Sequence, residues 1–276
     1  MIFARDKSQM CNNLLQYAHV YAWGREHGRK VISMRFSYKY PYFKIRHTPL
    51  TSFPLYLLAK YAAALHLLPT ASFKYATCDH EALERKMLRH RHIVVSGWHV
   101  RFYSLFLKYR QDICNLFTID DKYTRPVRQK MLDLEQKTGK TVLRLGVHIR
   151  RGDYSEWAGG RYYYQDDVYA LYINKFSEMH RDKDVHVYLS TNDAEVTEER
   201  FQMLCPDVRI HHLRGSAPED LFMLSACDYL IGPPSTFSLV AAMYRDIPLF
   251  RMDTANADSM TADAFRLFDY WFRRII

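Results

Sequence analysis

From Val142 to Arg251 short apolar runs alternate with helical patterns, and this alternation constrains the fold more than any other feature of the chain. The runs cover 143–149, 185–191, 208–213, 228–232 and 248–251; stretches near 166–180, 194–204, 218–226 and 236–244 lie between them with helical spacing. Strands joined through helices are carried back to the same end each time, so they run parallel. The pattern predicts a Rossmann-like sheet. Such a sheet binds ligands outside the carboxyl ends of its strands. The residues just after Ile149, Thr191 and Gly232 are therefore aimed at a ligand.

The first half is less regular. A short opening strand leads to Gln9–His27, where Met10, Leu14, Tyr17, Ala18, Tyr21 and Ala22 recur at near-helical spacing; Gly28 ends the run before a strand at Lys30–Met34. That is a second β-α-β opening. Residues 36–80, rich in Tyr, Phe and Pro, read as loop with one helix near 55–67. A strand at 93–98 precedes helices at 102–115 and 122–137. The expected fold is α/β with two Rossmann-like domains, 1–125 and 126–276. Ala262–Ile276, with Phe265, Phe268, Trp271, Phe272 and Ile275, is expected to form a terminal helix that packs back on the protein.

With 276 residues and 48% hydrophobic content the chain can bury a substantial core. Its longest apolar region, Phe53–Leu68, is interrupted by Lys60, which argues against a membrane span. Arg5, Asp6 and Lys7 interrupt the start, so no signal peptide is expected. Five scattered cysteines form no C-x-x-C pair, which suits a reducing cytoplasm. The net charge of +9 is unevenly spread: residues 1–140 hold 24 Lys and Arg against 10 Asp and Glu, and residues 141–276 hold 15 against 20. A basic first half suits an anionic partner, such as a phosphorylated acceptor or the inner membrane surface.

Strand 143–149 delivers His148, then Arg150-Arg151-Gly152-Asp153, into the ligand edge. Two arginines there point to phosphate. The next strand ends in Ser190-Thr191-Asn192-Asp193, whose hydroxyls and amide suit a sugar or ribose, while Asp193 is expected to cap the following helix. Asp220, in the first turn of another helix, either accepts from the ring N–H and exocyclic amine of guanine or offsets the helix dipole. Gly232-Pro233-Pro234 turns into Ser235-Thr236-Phe237-Ser238, a hydroxyl-rich helix start of the kind that holds phosphate. No G-x-x-x-x-G-K or G-x-G-x-x-G loop occurs, which removes the main support for ATPase and dehydrogenase readings. Asp182-Lys183-Asp184 has the Asp-x-Asp pattern of metal-dependent sugar transferases but precedes its strand, on the wrong side of the sheet.

Together, His148-x-Arg150-Arg151-x-Asp153, the Ser190–Asp193 strand end and Asp220 through Ser238 resemble the motifs of family 11 glycosyltransferases, the α-1,2-fucosyltransferases. Asn12-Asn13-Leu14-Leu15-Gln16-Tyr17-Ala18 resembles the family's opening, without its glycines. The usual Asn-Ser-Ser-Phe-Ser turn appears here as Pro234-Ser235-Thr236-Phe237-Ser238. The resemblance implies a GT-B architecture in which the C-terminal domain holds GDP-fucose and the N-terminal domain meets the acceptor. It implies no cofactor and no metal. Arg150 would bind the β-phosphate, Arg151 would support the site, His148 and Asp220 would contact guanosine, and Ser235 and Thr236 would hold phosphate. Phe237, Ser238, Ser190, Thr191 and Asn192 complete the expected donor site; Asn12, Asn13 and Gln16 complete the acceptor side.

The expected reaction transfers L-fucose with inversion to a hydroxyl, O2 of a galactoside, on a glycan that is soluble or lipid-linked. Arg150 is the expected catalytic cation. Asp153, Glu156, Asp166 and Asp167 are the nearby carboxylates for a general base, with Asp153 and Glu156 taken first. Other nucleotide-sugar donors, a sugar-binding module without turnover and, behind these, a basic nucleic-acid-binding protein stay open. The basic-aromatic segment Arg101–Arg110 lacks a recognised nucleic-acid motif, so nucleic acid is not an expected partner.

Overall fold

The computed structural model describes residues 1–5, 8–135 and 141–274. The chain divides into two compact units, Met1–Asp120 and Asp121–Ile276.

In the first unit β1 (Ile2–Arg5), β2 (Val31–Ser33), β3 (Thr70–Ser72) and β4 (Ile93–Ser96) form a parallel sheet in the order β2-β1-β4-β3. Helix α1 (Met10–Glu26) connects β1 to β2. It is buried on every side, with Tyr17 and Trp23 wholly enclosed, as its mixture of apolar and small residues allows. Helix α2 (Phe53–Ala64) lies where a helix was expected. β3 and α3 (His80–Arg89) fall in or beside the stretch read as loop. β3 has only three residues at the sheet edge, too few for an alternation to register. α3 buries Met87 alone, but its cap was visible: Asp79 accepts from the Ala82 N–H. The expected helix at 102–115 is two, α4 (Tyr103–Lys108) and α5 (Arg110–Leu116), broken at Tyr109.

The second unit opens with α6 (Asp121–Glu135). Its strands are β5 (Val142–Ile149), β6 (Asp184–Thr191), β7 (Arg209–His211), β8 (Tyr229–Gly232) and β9 (Leu249–Arg251), with helices α7 (Asp166–Met179), α8 (Glu198–Leu204), α9 (Ala217–Ser225) and α10 (Thr236–Arg245) between them. All five strands are parallel, in the order β7-β6-β5-β8-β9. The apolar alternation of Leu145, Val147 and Ile149 on β5 and Val185, Val187 and Leu189 on β6 fills the core against Tyr169, Ile173 and Phe176 of α7. Because the winding starts at β5 and reverses towards β8, the carboxyl ends of these neighbours splay apart at a switch point, where ligands bind in doubly wound sheets.

Two boundaries differ from the sequence reading. α8 starts at Glu198, capped by Thr197 rather than by Asp193. The terminal segment is not one helix from Ala262: Arg266 exchanges both backbone hydrogen bonds with Leu249 at the edge of the sheet. Only then does α11 (Phe268–Phe272) form, and it packs on α10 with Phe268 and Phe272 buried. Ile275 lies outside the described residues. Among the described residues no helix is long and apolar enough to cross a membrane.

Candidate active site

Arg150 is the first residue after β5, and the chain fixes it from three directions. Its N–H donates to the Tyr169 hydroxyl at 3.2 Å. Its guanidinium pairs with Asp153 at 2.6 Å and lies over the Tyr154 ring, 5.4 Å from the centroid. The buried Tyr154 in turn donates its hydroxyl to the Pro234 carbonyl, which joins the loop after β5 to the turn after β8. That turn ends at Ser235, the N-cap of α10, whose hydroxyl accepts from the Phe237 N–H at 3.2 Å. The Ser238 hydroxyl donates to the Ser235 carbonyl at 3.2 Å, and Thr236 opens the helix. A cation and a helix N-terminus thus flank one switch point. Both favour an anion.

Arg151, the neighbour of Arg150, is buried and fully engaged. Its guanidinium donates to Asp166, to Asp193 at 2.9 Å and to the Tyr164 carbonyl at 3.1 Å. Asp166 also accepts from Arg200. The network binds the starts of α7 and α8 to the loop after β5. Asn192 joins it: its amide oxygen accepts from the Arg151 N–H at 2.9 Å and its Nδ2 donates to the Arg151 carbonyl at 3.3 Å. The next residue, Gly152, has φ +58, and a Cβ there would meet Asn192 Nδ2 at 2.8 Å, so glycine is needed for both conformation and clearance. The Thr191 hydroxyl accepts from the Asp193 N–H at 3.0 Å. Asp193 caps no helix: one oxygen takes Arg151 and the other accepts from the Glu195 N–H at 3.0 Å.

On the other side of the switch point His148 is buried, its ring 5.2 Å from that of Phe237. Its Nδ1 has no hydrogen-bond partner among the described residues. Burial, and then the Arg150 charge, push its pKa down to about 3, so the imidazole is neutral at physiological pH. Gly232 leaves it room; a Cβ there would come within 3.0 Å of the His148 carbonyl oxygen and 3.1 Å of its Cβ. Nearby at the β6 end, Ser190 donates to Asp220 at 2.9 Å. The two carboxylates in the first turn of α9 are engaged differently. Glu219 closes a capping box with Ser216, accepting from its N–H at 2.7 Å. Asp220 faces Ser190, and burial pushes its pKa from 3.8 up to about 7, against the opposing hydrogen bonds from Ser190 and the Gly215 backbone. A ligand with N–H groups would add to these two donors.

Of the candidate bases, Asp153 and Glu156 are exposed on the loop after β5, Asp167 is exposed at the start of α7, and Asp166 is enclosed by two guanidiniums. Asp182 pairs with Lys183 and Asp184 with Arg209, at the amino end of β6. In the first unit Asn12, Asn13 and Gln16 occupy the first turns of α1. Asn12 donates to the Ser8 hydroxyl at 2.8 Å, Asn13 to the Ser8 carbonyl at 2.9 Å, and Gln16 to the Asn12 carbonyl at 3.3 Å. Asn13 Oδ1 is buried without a partner among the described residues.

Sequence reasoning missed Tyr154, Tyr169 and Arg200, which position the two arginines. Only Tyr154, one residue past the Arg-Arg-x-Asp run, carried a local signal; the other partners are brought in by the fold.

The model of one known family, Glycosyl transferase family 11, matches residues 7–247. The chain belongs to glycosyl transferase family 11. Solved structures share the fold of this family 11 chain at low identity. An Arabidopsis thaliana FUT1 mutant in complex with GDP matches with TM-score 0.63 and 11% identity, covering 96% of this chain and 73% of that one. The NodZ alpha-1,6-fucosyltransferase soaked with GDP-fucose, a protein from Bradyrhizobium, matches with TM-score 0.54 and 16% identity over 94% and 97%. POFUT1 in complex with GDP-fucose matches with TM-score 0.56 and 11% identity over 89% and 94%. The α/β architecture with two parallel sheets is thus the GT-B-like fold of fucosyltransferases. No curated protein matches the chain.

Proposed function

We propose that this family 11 glycosyltransferase transfers L-fucose from GDP-fucose, with inversion and without a metal, to a glycan hydroxyl, O2 of a galactoside. One observation carries the reading: Arg150 and the α10 N-terminus flank the β5/β8 switch point, with the buried carboxyl of Asp220 held on Ser190 at the neighbouring end of β6. That set suits a diphosphate joined to a base that offers two N–H groups. Guanine offers them. The solved structures that share the fold contain GDP or GDP-fucose, which supports the same donor.

In this reading residues 126–276 form the GDP-sugar-binding domain and residues 1–125 the acceptor-side domain. Arg150 holds the β-phosphate, assisted by Ser235, Thr236 and the first N–H groups of α10, with Ser238 supporting the turn. His148, packed on Phe237, contacts guanosine together with Asp220 and Ser190. Arg151, Thr191 and Asn192 are positioning residues. The acceptor oxygen bonds to fucose C1 as the bond from C1 to the phosphate oxygen breaks. The hydroxyl proton passes to Asp153 or Glu156, and GDP leaves with the bonding pair. Arg150 and the helix terminus stabilise the charge that gathers on GDP, which takes the part a divalent ion plays elsewhere. Asp182 and Asp184 sit at the wrong end of the sheet for such an ion. Asn12, Asn13 and Gln16 contribute to the acceptor side, and a lipid-linked glycan at a membrane surface is the acceptor class that the basic first half suits. The anomeric configuration and linkage of the product, read by NMR after incubation with a β-galactoside, test the assignment. An α-fucoside on O2 is expected, and a β-fucoside or another linkage position contradicts it.

A further inference from the structure

We propose that the outer face of α2 docks on an anionic lipid bilayer. The inner face of this helix is accounted for: Leu55, Tyr56, Ala59 and Ala63 pack on Phe3, Ile32, Met34 and Val94 of the first sheet. At 100° per residue, Phe53, Leu57, Leu58, Tyr61 and Leu65 fall within an arc of about 140° on the opposite side. No charged side chain lies in that arc. Leu58, Tyr61 and Leu65 are 65%, 60% and 67% exposed, and Leu67 just beyond the helix is 76% exposed. Isolated exposed leucines are ordinary, but a contiguous apolar helix face on a chain that buries its core well marks a contact surface.

The charge around the face selects the partner. Residues 27–78, which include all of α2, contain eight Lys and Arg and no Asp or Glu. Lys39, Lys44, Arg46, Lys60 and Lys74 among them are exposed. Lys60 rides at the edge of the apolar arc with its ammonium 5.9 Å from the Tyr56 ring and 5.7 Å from the Tyr61 ring. That placement lets the stem follow the aromatic surface while the charge reaches a headgroup. A second copy of this chain would bring the same acid-free surface against itself, opposing like charges. A bilayer with anionic headgroups instead satisfies both features, the apolar arc entering the acyl boundary and the basic rim the headgroup layer. Docking there would keep the chain at the surface that carries a lipid-linked acceptor. Only that purpose rests on the proposed reaction, because vesicle binding is read separately from turnover.

The test is flotation with phosphatidylglycerol-rich and with phosphatidylcholine-only vesicles, for the full chain and for the L58E/L65E double variant. Thermal melting and turnover on a soluble galactoside serve as controls, and neither should change, since both side chains are exposed and outside the site. The expected result is co-flotation with the anionic vesicles, weaker on neutral ones, reduced by moderate salt, and at least tenfold weaker in the double variant. A Tyr61→Trp variant gives a second readout: its added emission should be quenched by brominated acyl chains. Failure of the full chain to float overturns the proposal, as does a double variant that floats equally well. A dimer in solution that L58E/L65E dissociates, with no vesicle binding, makes the face a protein interface and overturns it too.

Discussion

Both sheets are parallel, yet their carboxyl edges differ in winding and in chemistry. In the first unit the chain crosses from β2 to the edge strand β3 and returns inward to β4 beside β1, whereas in the second the strands wind outward on both sides of the β5/β8 pair. At the first, Ala4, Arg5, Gln16, Ser96 and Gly97 line a small pocket of about 10 Å³. The amides of Asn13 and Gln16 fill the start of α1. At the second, the helix start carries hydroxyls, the strand end carries Arg150, His148 Nδ1 has no partner among the described residues, and the buried Asp220 carboxyl accepts from Ser190. The outward winding of the second sheet makes a switch point, and the side-chain chemistry there suits an anion.

That contrast predicts the largest effect. Arg150→Ala should lower kcat/KM for the donor about 10³-fold or more, as removal of a cation from a developing phosphate charge does, whereas Gln16→Ala should act on the acceptor KM and leave the donor parameters within about tenfold. Similar donor losses at both edges would erase the distinction. Between the adjacent arginines the roles should reverse when stability is measured. Arg151→Ala leaves the buried Asp166 with Arg200 alone and takes the ion pair from Asp193, and should cost about 3–5 kcal/mol in urea unfolding; Arg150→Ala, whose ion pair is with the exposed Asp153, should cost under about 1 kcal/mol. Next comes Gly152→Ala, expected to cost about 1–3 kcal/mol through its left-handed backbone and its approach to Asn192.

The smallest effect is a pH dependence. Donor affinity should weaken as pH falls through about 7, because a protonated Asp220 can no longer accept both guanine N–H groups; Asp220→Asn should bind more weakly with a flat profile. Stability carries its own sign. The folded carboxyl holds its proton more tightly than the unfolded one, so its contribution is present below pH 3.8 and is lost as pH rises through about 7. The melting temperature of Asp220→Asn, relative to the parent, should therefore rise between about pH 4 and pH 8. A difference that is constant with pH would remove Asp220 as the titrating group.

Periodic elements were legible in the sequence and remote partners were not. β5, β6 and β8 announce themselves by apolar runs, and Ser235 by its place after a strand and a turn. Arg150 was readable because it comes directly after its strand. The commitment of Arg151 depends on Asp166, Asp193 and Arg200, which only folding gathers. Asp193 looked like a cap because polar residues precede a helical pattern, but the turn it heads runs four residues before Thr197 begins α8. The terminal helix was overextended because an apolar face persists through Phe265, while the backbone there is taken by the sheet edge. β3 left too short a trace to find.

The most direct test of the donor assignment is GDP or UDP release, with EDTA present, from GDP-fucose, GDP-mannose and UDP-galactose across β-galactoside acceptors and a no-acceptor control. Acceptor-dependent release from GDP-fucose alone, unaffected by EDTA, is the expected result. Release from a different donor, or release that EDTA abolishes, contradicts it.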